Sequence, residues 1–270
     1  MPRQPLQRAN TKLTTLVVLG LLNALVVLGM DVYIVGTPGM VAWITRYEGV
    51  QRAFDTYKHI GLPVSLPVLE SSPSIWYREM YNTVNSLLDQ YSYRLSNFLN
   101  ERGYPSVFVP RDGYMGIKAL LKNPVAFFSH RHAAYLAGLG NFGTNNMLLT
   151  PEYGPRVRFG SVFTAAELPA DPLMTEELCT RCMRCVKMCP AAALDREDYP
   201  QGLTDKKSCS AHSAELNQKG ISPCGICIKV CPVGEDRKLF GREDGTIYTR
   251  KEKFPAEHRA WEHVRRYGGL

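Results

Sequence analysis

The stretches Cys179-Thr-Arg-Cys182-Met-Arg-Cys185-Val-Lys-Met-Cys189-Pro190 and Cys224-Gly-Ile-Cys227-Ile-Lys-Val-Cys231-Pro232, with a lone Cys209 between them, decide how the C-terminal part of this chain folds. Together they hold all eight cysteines. A cubane iron–sulfur cluster needs four thiolates around one centre. A tight C-x2-C-x2-C turn supplies three of them, because the chain cannot wrap the whole cube at that spacing. In two-cluster ferredoxins the Cys-Pro of each run serves the other cluster. On that pattern Cys179, Cys182, Cys185 and Cys231 form one ligand set. Cys189, Cys209, Cys224 and Cys227 form the second, with Cys209 in place of a missing third local cysteine. Zinc sites favour two C-x2-C knuckles without a crossing Cys-Pro, and a disulfide framework implies an exported protein. The spacing therefore points to two 4Fe–4S clusters, and crossed ligands hold such clusters close enough to exchange an electron, which favours redox work over a purely structural role.

Composition sets the frame around these runs. With 270 residues and 45% hydrophobic content, the chain can bury one sizeable core and carry a small cluster module. Its formal charge is +7. Each oxidised cluster with its thiolates carries about −2, which brings the loaded protein to about +3 and weakens the case for a nucleic-acid partner. Arg237, Lys251, Lys253, Arg259, Arg265 and Arg266 concentrate positive charge toward the end of the chain. They read as a solvated surface helix and tail, with a phosphate-binding edge as the alternative.

The apolar run Leu13–Met30 follows Arg3, Arg8 and Lys12, an arrangement shared with signal peptides and short membrane anchors. Thr14, Thr15 and Asn23 interrupt it, no small-x-small cleavage site follows, and Leu-Val-Val-Leu-Gly occurs at 16–20 and again at 25–29. Short β-branched runs ending in Gly suit buried strands of an α/β sheet. A cytoplasmic protein is thus expected, with anchoring through 13–30 as the alternative.

Further along, residues 40–60 have mixed helical spacing, and the Pro- and Ser-rich stretch 61–73 reads as a loop. Met80, Val84, Leu87, Leu88, Tyr91, Leu95, Phe98 and Leu99 repeat at three- and four-residue steps and predict a long helix ending at Gly103. A strand follows over 105–110. A second helix is expected from Ser129 as N-cap, through His130 to Leu136, into Gly138 and Gly140. Residues 147–150 and 156–164 look like strands joined by a Pro151–Gly154 turn. The expected class is α/β, α+β overall. It divides into an α/β domain over 1–172, a two-cluster ferredoxin-like module over 173–235 and a basic tail over 236–270.

From Ser129 the sequence runs SHRHAAYLAGLGNFGTNNMLLTPEYGPRVRFGSVFTAAEL. Joined to the cysteine pattern, this block resembles the epoxyqueuosine reductase family and the related reductive dehalogenases over roughly Leu87 to Pro232. The lone cysteine before the second run matches as well. The resemblance implies a base-off cobalamin in the α/β domain, above a ferredoxin-like module that feeds it electrons from an external low-potential donor. The corrinoid supplies the hard chemistry and the protein supplies orientation and protons. Gly138, Gly140 and Gly143 are then expected to leave backbone open to a macrocycle, and Asn141, Asn145 and Asn146 to meet corrinoid amides. Asp112 stands nearest to the family's proton-donating aspartate, although 113–128 looks inserted. His130 occupies a place where the tRNA enzymes usually carry an acid, and its ordinary pKa suits a donor near neutral pH. His132 reads as a helix-surface histidine without catalytic duty.

Only 38 residues follow Pro232, without the family's C-terminal helical repeats, and no twin-arginine signal is present. The expected substrate is a small molecule or a modified nucleoside, with tRNA not favoured, and the sequence carries no signal for an oligomeric state. A cobalamin-free electron carrier or reactivating accessory protein is the alternative reading. On the ligand sets above, the reconstituted protein should contain about eight irons and eight labile sulfides. Cys209→Ala should remove or convert one cluster and leave the other's spectrum intact; two ordinary 4Fe–4S signals in that variant would show the ligand sets to be wrong.

Overall fold

The computed structural model describes residues 31–33, 61–111, 116–166, 171–244 and 246–267. The apolar run 13–30, the segment 40–60 and Asp112 lie outside the described residues. In chain order the first elements are β1 (Asp31–Tyr33), β2 (Gly61–Pro63), α1 (Leu66–Glu70), α2 (Ile75–Glu101), β3 (Ser106–Val109), α3 (Ile117–Lys122), α4 (His130–Leu136) and β4 (Asn141–Phe142). There follow β5 (Leu148–Leu149), β6 (Val157–Phe159), β7 (Ser161–Thr164), α5 (Arg184–Lys187), α6 (Lys206–Gln218), α7 (Ile226–Lys229), α8 (Asp236–Leu239) and α9 (Pro255–Tyr267).

Helix α2 is the spine of the first part. Ser74 caps it by accepting from Tyr77 N at 3.1 Å, satisfying one of the donors that a helix start leaves open. Val84, Leu88, Leu95 and Leu99 recur on one face and are buried with Leu62 of β2, Val162 of β7 and Ala166. Strand β7 lies between β1 and β3 and is buried along its whole length. Both of its partners run antiparallel to it, as do the pairs β2–β6 and β4–β5. Among the described residues the architecture is thus α+β within a mixed α/β fold, with no parallel strand pair.

Two expectations need correction. The stretch 61–73 is not a plain loop, because it holds β2 and α1. Pro67 sits in the first turn of α1, where a missing N–H costs nothing, and Leu66 and Leu69 are buried. The basic end of the chain is not simply a solvated tail either. Arg237 is buried, and Trp261 of α9 packs with Ile247 and Tyr248 in a small core of its own.

The cysteine segment is built from two similar turns. A residue in the left-handed region, Met183 at φ 58° or Gly225 at φ 72°, precedes each one-turn helix α5 and α7. Cys185, Ile226 and Val230 then form a shared core with Val186, Met188 and Leu194 around them. This segment rests on α1 and α2, where Val64, Leu69 and Tyr77 pack against Ile228.

Because Leu88 is buried at the centre of the α2 face, Leu88→Ala should cost about 2–5 kcal/mol in chemical denaturation. Leu136→Ala, at an exposed position, should stay within about 0.5 kcal/mol of the parent.

Candidate metal centre

The structure brings Cys179, Cys182, Cys185 and Cys231 to the wall of one cavity, with about 330 Å³ of atom-free space including its open mouth. Gly143, Thr144, Asn145 and Leu149 line the same cavity from the sheet side. Among the described residues no three His, Cys, Asp or Glu side chains close around a single ion; the four cysteines instead line a shared open cavity. Burial raises the Cys185 thiol to about 11, with Cys182 and Cys179 adding like charge. Burial likewise raises Cys231 to about 12, and Cys182 and Cys185 act on it in the same sense, across nearly fifty residues of chain.

The other four cysteines lie within electrostatic reach of one another. Cys227 is raised by burial and then by Cys224, Cys209, Cys185 and Cys189. Cys224 is raised to about 11 by burial, with Cys209 and Cys189 contributing. Cys209 is an exposed residue, yet desolvation of its thiol and the neighbouring Cys189 still raise it. Cys189 Sγ accepts from Ala193 N at 3.3 Å. Without metal, thiols raised this far stay protonated at neutral pH, so loading a cluster must release protons. The donor set is all sulfur, which suits 4Fe–4S chemistry.

The loop after α4 turns out to be the seat of the cysteine segment. Asn141 donates from Nδ2 to Glu176 O, and its Oδ1 accepts from Leu178 N at 3.3 Å. Thr144 Oγ1 lies 3.6 Å from Cys179 Sγ and donates to Asp198 Oδ1 at 3.1 Å. Asn145 donates to Cys227 O at 3.4 Å and accepts from Met147 N at 3.1 Å. Asn146, held at φ 54°, donates to Gly202 O at 3.1 Å and accepts from Thr204 N and Oγ1 at 2.6 and 2.8 Å. The turn after β5 docks beside it, with Glu235 N donating to Pro151 O at 3.0 Å and Asp236 N to Glu152 O at 3.1 Å.

The same seat explains the glycines. A Cβ on Gly138 would lie 2.1 Å from Pro172 O, and one on Gly140 would lie 1.8 Å from Leu149 O. One on Gly143 would meet Leu149 Cδ1 at 3.0 Å. The chain's own close packing demands small residues at Gly138 and Gly140, with no ligand needed to account for them. Thr144 was not singled out in the sequence, although it directly precedes Asn145 and Asn146.

The proton-donor candidates fall differently. Asp112 lies outside the described residues. His130 has Nδ1 2.9 Å from Ser161 Oγ and Nε2 3.0 Å from Pro110 O. A carbonyl only accepts, so Nε2 carries the proton there, and the ring ties the end of β3 to the start of β7. His132 is not a free surface side chain. Its Nδ1 lies 2.6 Å from Ser129 Oγ and its Nε2 bonds Tyr199 OH, while Phe142 stacks on Tyr199. Burial, then Arg131 and Lys206, hold its pKa below the usual histidine value.

A family model described as a 4Fe-4S binding domain matches residues 174–195. The chain is similar to a tetrachloroethene reductive dehalogenase of Desulfitobacterium hafniense, at 28% identity over 180 residues, which cover 60% of this chain and 30% of that protein. It is also similar to an epoxyqueuosine reductase of Synechococcus sp. (strain RCC307), at 34% identity over 105 residues, covering 36% of this chain and 31% of that protein. Its homologues thus include both kinds of reductase, as the sequence block suggested. The chain spans about a third of the length of these curated relatives. A solved reductive dehalogenase studied for B12-dependent dehalogenation superposes with a TM-score of 0.50 at 19% identity, over 76% of this chain and 30% of that one. Catabolic reductive dehalogenase NpRdhA gives a TM-score of 0.51 at 18% identity, over 76% and 29%. These likenesses establish the fold.

Asn146→Ala removes three hydrogen bonds and strands buried partners on both sides of the seat. It should cost about 2–4 kcal/mol, read as a lower melting temperature of the cluster-loaded protein. Gly140→Ala should prevent a stable seat whether or not cobalamin is supplied; normal folding of that variant would refute the close-packing account.

Proposed function

We propose that this chain is an iron–sulfur oxidoreductase that takes electrons from an external low-potential donor through two 4Fe–4S clusters. The observation that carries the reading is the first quartet. Cys179, Cys182, Cys185 and Cys231 line one cavity, closed on its other side by Gly143, Thr144 and Asn145. A site so placed can move charge from the cysteine segment toward the sheet region. When bound, each cluster supplies one-electron chemistry at low potential. The protein's part is to desolvate the thiolates, hold the two quartets close enough for Cys185 to act electrostatically on Cys227, and keep the segment fixed through the asparagine ties.

Cobalamin is the electron acceptor suggested by the B12-dependent relative. The residues nominated for it do not fit that duty. The Asn141, Asn145 and Asn146 amides are engaged with the cysteine segment, and Gly138 and Gly140 face the chain's own carbonyls. A corrinoid would therefore be held by other groups. Substrate reduction leaves negative charge that an acid must neutralise, and Asp112 is the proposed donor, with His130 second. His130 already spends one nitrogen on a backbone carbonyl, which favours the aspartate. The substrate class stays a small molecule or modified nucleoside, in keeping with the epoxyqueuosine reductases among the relatives.

Anaerobic reconstitution tests the reading. Iron near eight per chain and a base-off spectrum on adding cobalamin are expected. Both clusters without any cobalamin spectrum would overturn the corrinoid part and leave an electron carrier. With turnover in hand, Asp112→Asn should keep the clusters and lose about a hundredfold or more in rate. Unchanged turnover there, with collapse in His130→Gln, would move the donor role to the histidine.

A further inference from the structure

One ligand sulfur of the first quartet has a hydroxyl beside it. Thr144 Oγ1 lies 3.6 Å from Cys179 Sγ and donates to Asp198 Oδ1 at 3.1 Å. The residue is 2% exposed and lines the cavity shared by Cys179, Cys182, Cys185 and Cys231. Its backbone is held inside a closed turn, with Asn146 N donating to Gly143 O at 2.8 Å and Gly143 N to Met147 O at 3.0 Å. Asp198 in turn accepts from Arg181 Nε at 2.5 Å, and Arg181 Nη1 pairs with Glu177 at 2.9 Å. The bond from Arg181 holds the Asp198 carboxyl below the usual carboxylate range. At neutral pH that group is therefore ionised and only accepts.

A hydroxyl carries one proton and two lone pairs. In the metal-free chain that proton goes to Asp198, and Cys179, as a thiol, can donate to Thr144 Oγ1. Cluster loading takes the thiol's proton away, since metal ligation requires the thiolate. Thr144 then stands between two anions with one proton to give. The carboxylate loses less by giving it up. Arg181 still serves it, and at 40% side-chain exposure water replaces the lost donor. The sulfur meets the buried Thr144 at the cavity wall, and an anion so placed gains more from a donor than one at the surface.

We propose that Thr144 donates its hydroxyl proton to Cys179 Sγ in the loaded protein, leaving Asp198 to Arg181, and so raises the reduction potential of the cluster held by Cys179, Cys182, Cys185 and Cys231. A hydrogen bond to a ligand sulfur is one of the levers that set such potentials. It stabilises the more negative, reduced cluster by more than the oxidised one. The step concerned is the gain of one electron by this cluster from the external low-potential donor. No covalent bond is made or broken, and only the hydrogen bond changes its acceptor. Thr144 acts through the cluster and is a positioning residue. Asp198 holds the hydroxyl beside the sulfur before metal arrives, and Arg181 keeps the carboxylate served afterwards. The proposal rests on the reading that this quartet holds a cubane.

The test is an anaerobic redox titration of the reconstituted full chain followed by EPR, with proton ENDOR of the reduced protein in H2O and D2O. Thr144→Val keeps the size of the side chain and removes the hydroxyl. It should make one cluster harder to reduce, by at least threefold in the oxidised-to-reduced ratio at fixed potential, about 28 mV for one electron. One exchangeable proton coupling should vanish from that cluster's spectrum, and the second cluster should keep its midpoint. Thr144→Ser, which retains the hydroxyl, should hold the parent potential and coupling. Asp198→Ala removes the competing acceptor and should lower neither midpoint. A drop there equal to that in Thr144→Val would assign the effect to the Thr144–Asp198 tie and overturn the proposal. Unchanged midpoints in Thr144→Val with both clusters present would also overturn it, as would equal shifts of both clusters. Where Thr144→Val does not load this cluster, Thr144→Ala is read in its place. Failure of both would assign Thr144 to the folding of the turn and overturn the proposal. Wild-type protein without a 4Fe–4S signal would instead sink the cluster reading itself.

Discussion

The structure depends on one joint, in which Asn141, Thr144, Asn145 and Asn146 bind the cysteine segment to the helix–sheet layer. Thiols raised by burial and crowded against one another gain nothing from lying together until metal arrives. Something else must hold them in place first. Side-chain amides suit that task because each offers donors and an acceptor to backbone groups across the gap. Asn146 uses both ends of its amide, and its left-handed backbone conformation is one that asparagine tolerates better than most residues. Gly138 and Gly140 let the two layers close until carbonyls stand where a Cβ would be.

Charge follows from that closeness. Where Arg156 enters the interior it meets Asp236 and donates to Val64 O at 3.2 Å, so it ties the sheet region to the segment after Cys231. Arg242 does similar work at the edge, pairing with Glu70 at 2.7 Å. Lys229 and Arg237 are buried more deeply, the first donating to Ser72 O and the second to Lys229 O.

Local signals were the legible ones. The repeat from Val84 to Leu99 marked α2, and Ser129 marked the start of α4, where it accepts from His132 N. The cysteine spacing proposed two groups of four, and Cys179, Cys182, Cys185 and Cys231 of the first line one cavity. Other features depended on partners far away in sequence. Nothing local distinguishes an asparagine that ties two layers from one that meets a cofactor, and both readings fit a Gly-rich turn. Leu66 and Leu69 hide among prolines and serines, so α1 shows only once Tyr77 and Ile228 cover it. Arg237 reads as solvated until Lys229 O and Arg242 O are seen to enclose it. His132 reads as a surface group until Tyr199, on the other layer, reaches its ring.

This bears on what the likeness to the two kinds of reductase means. In this chain the AGLG-to-TPEYG block and the cysteine runs are the two halves of one contact. Gly154 makes this plain, since a Cβ there would lie 2.0 Å from Val233 O, just past the second Cys-Pro. The block therefore serves to seat the cysteine segment, and residues outside the joint are the place to look for substrate contacts. The neighbourhood of His130 at the ends of β3 and β7 is such a place, because its contacts with Ser161 and Pro110 serve the sheet.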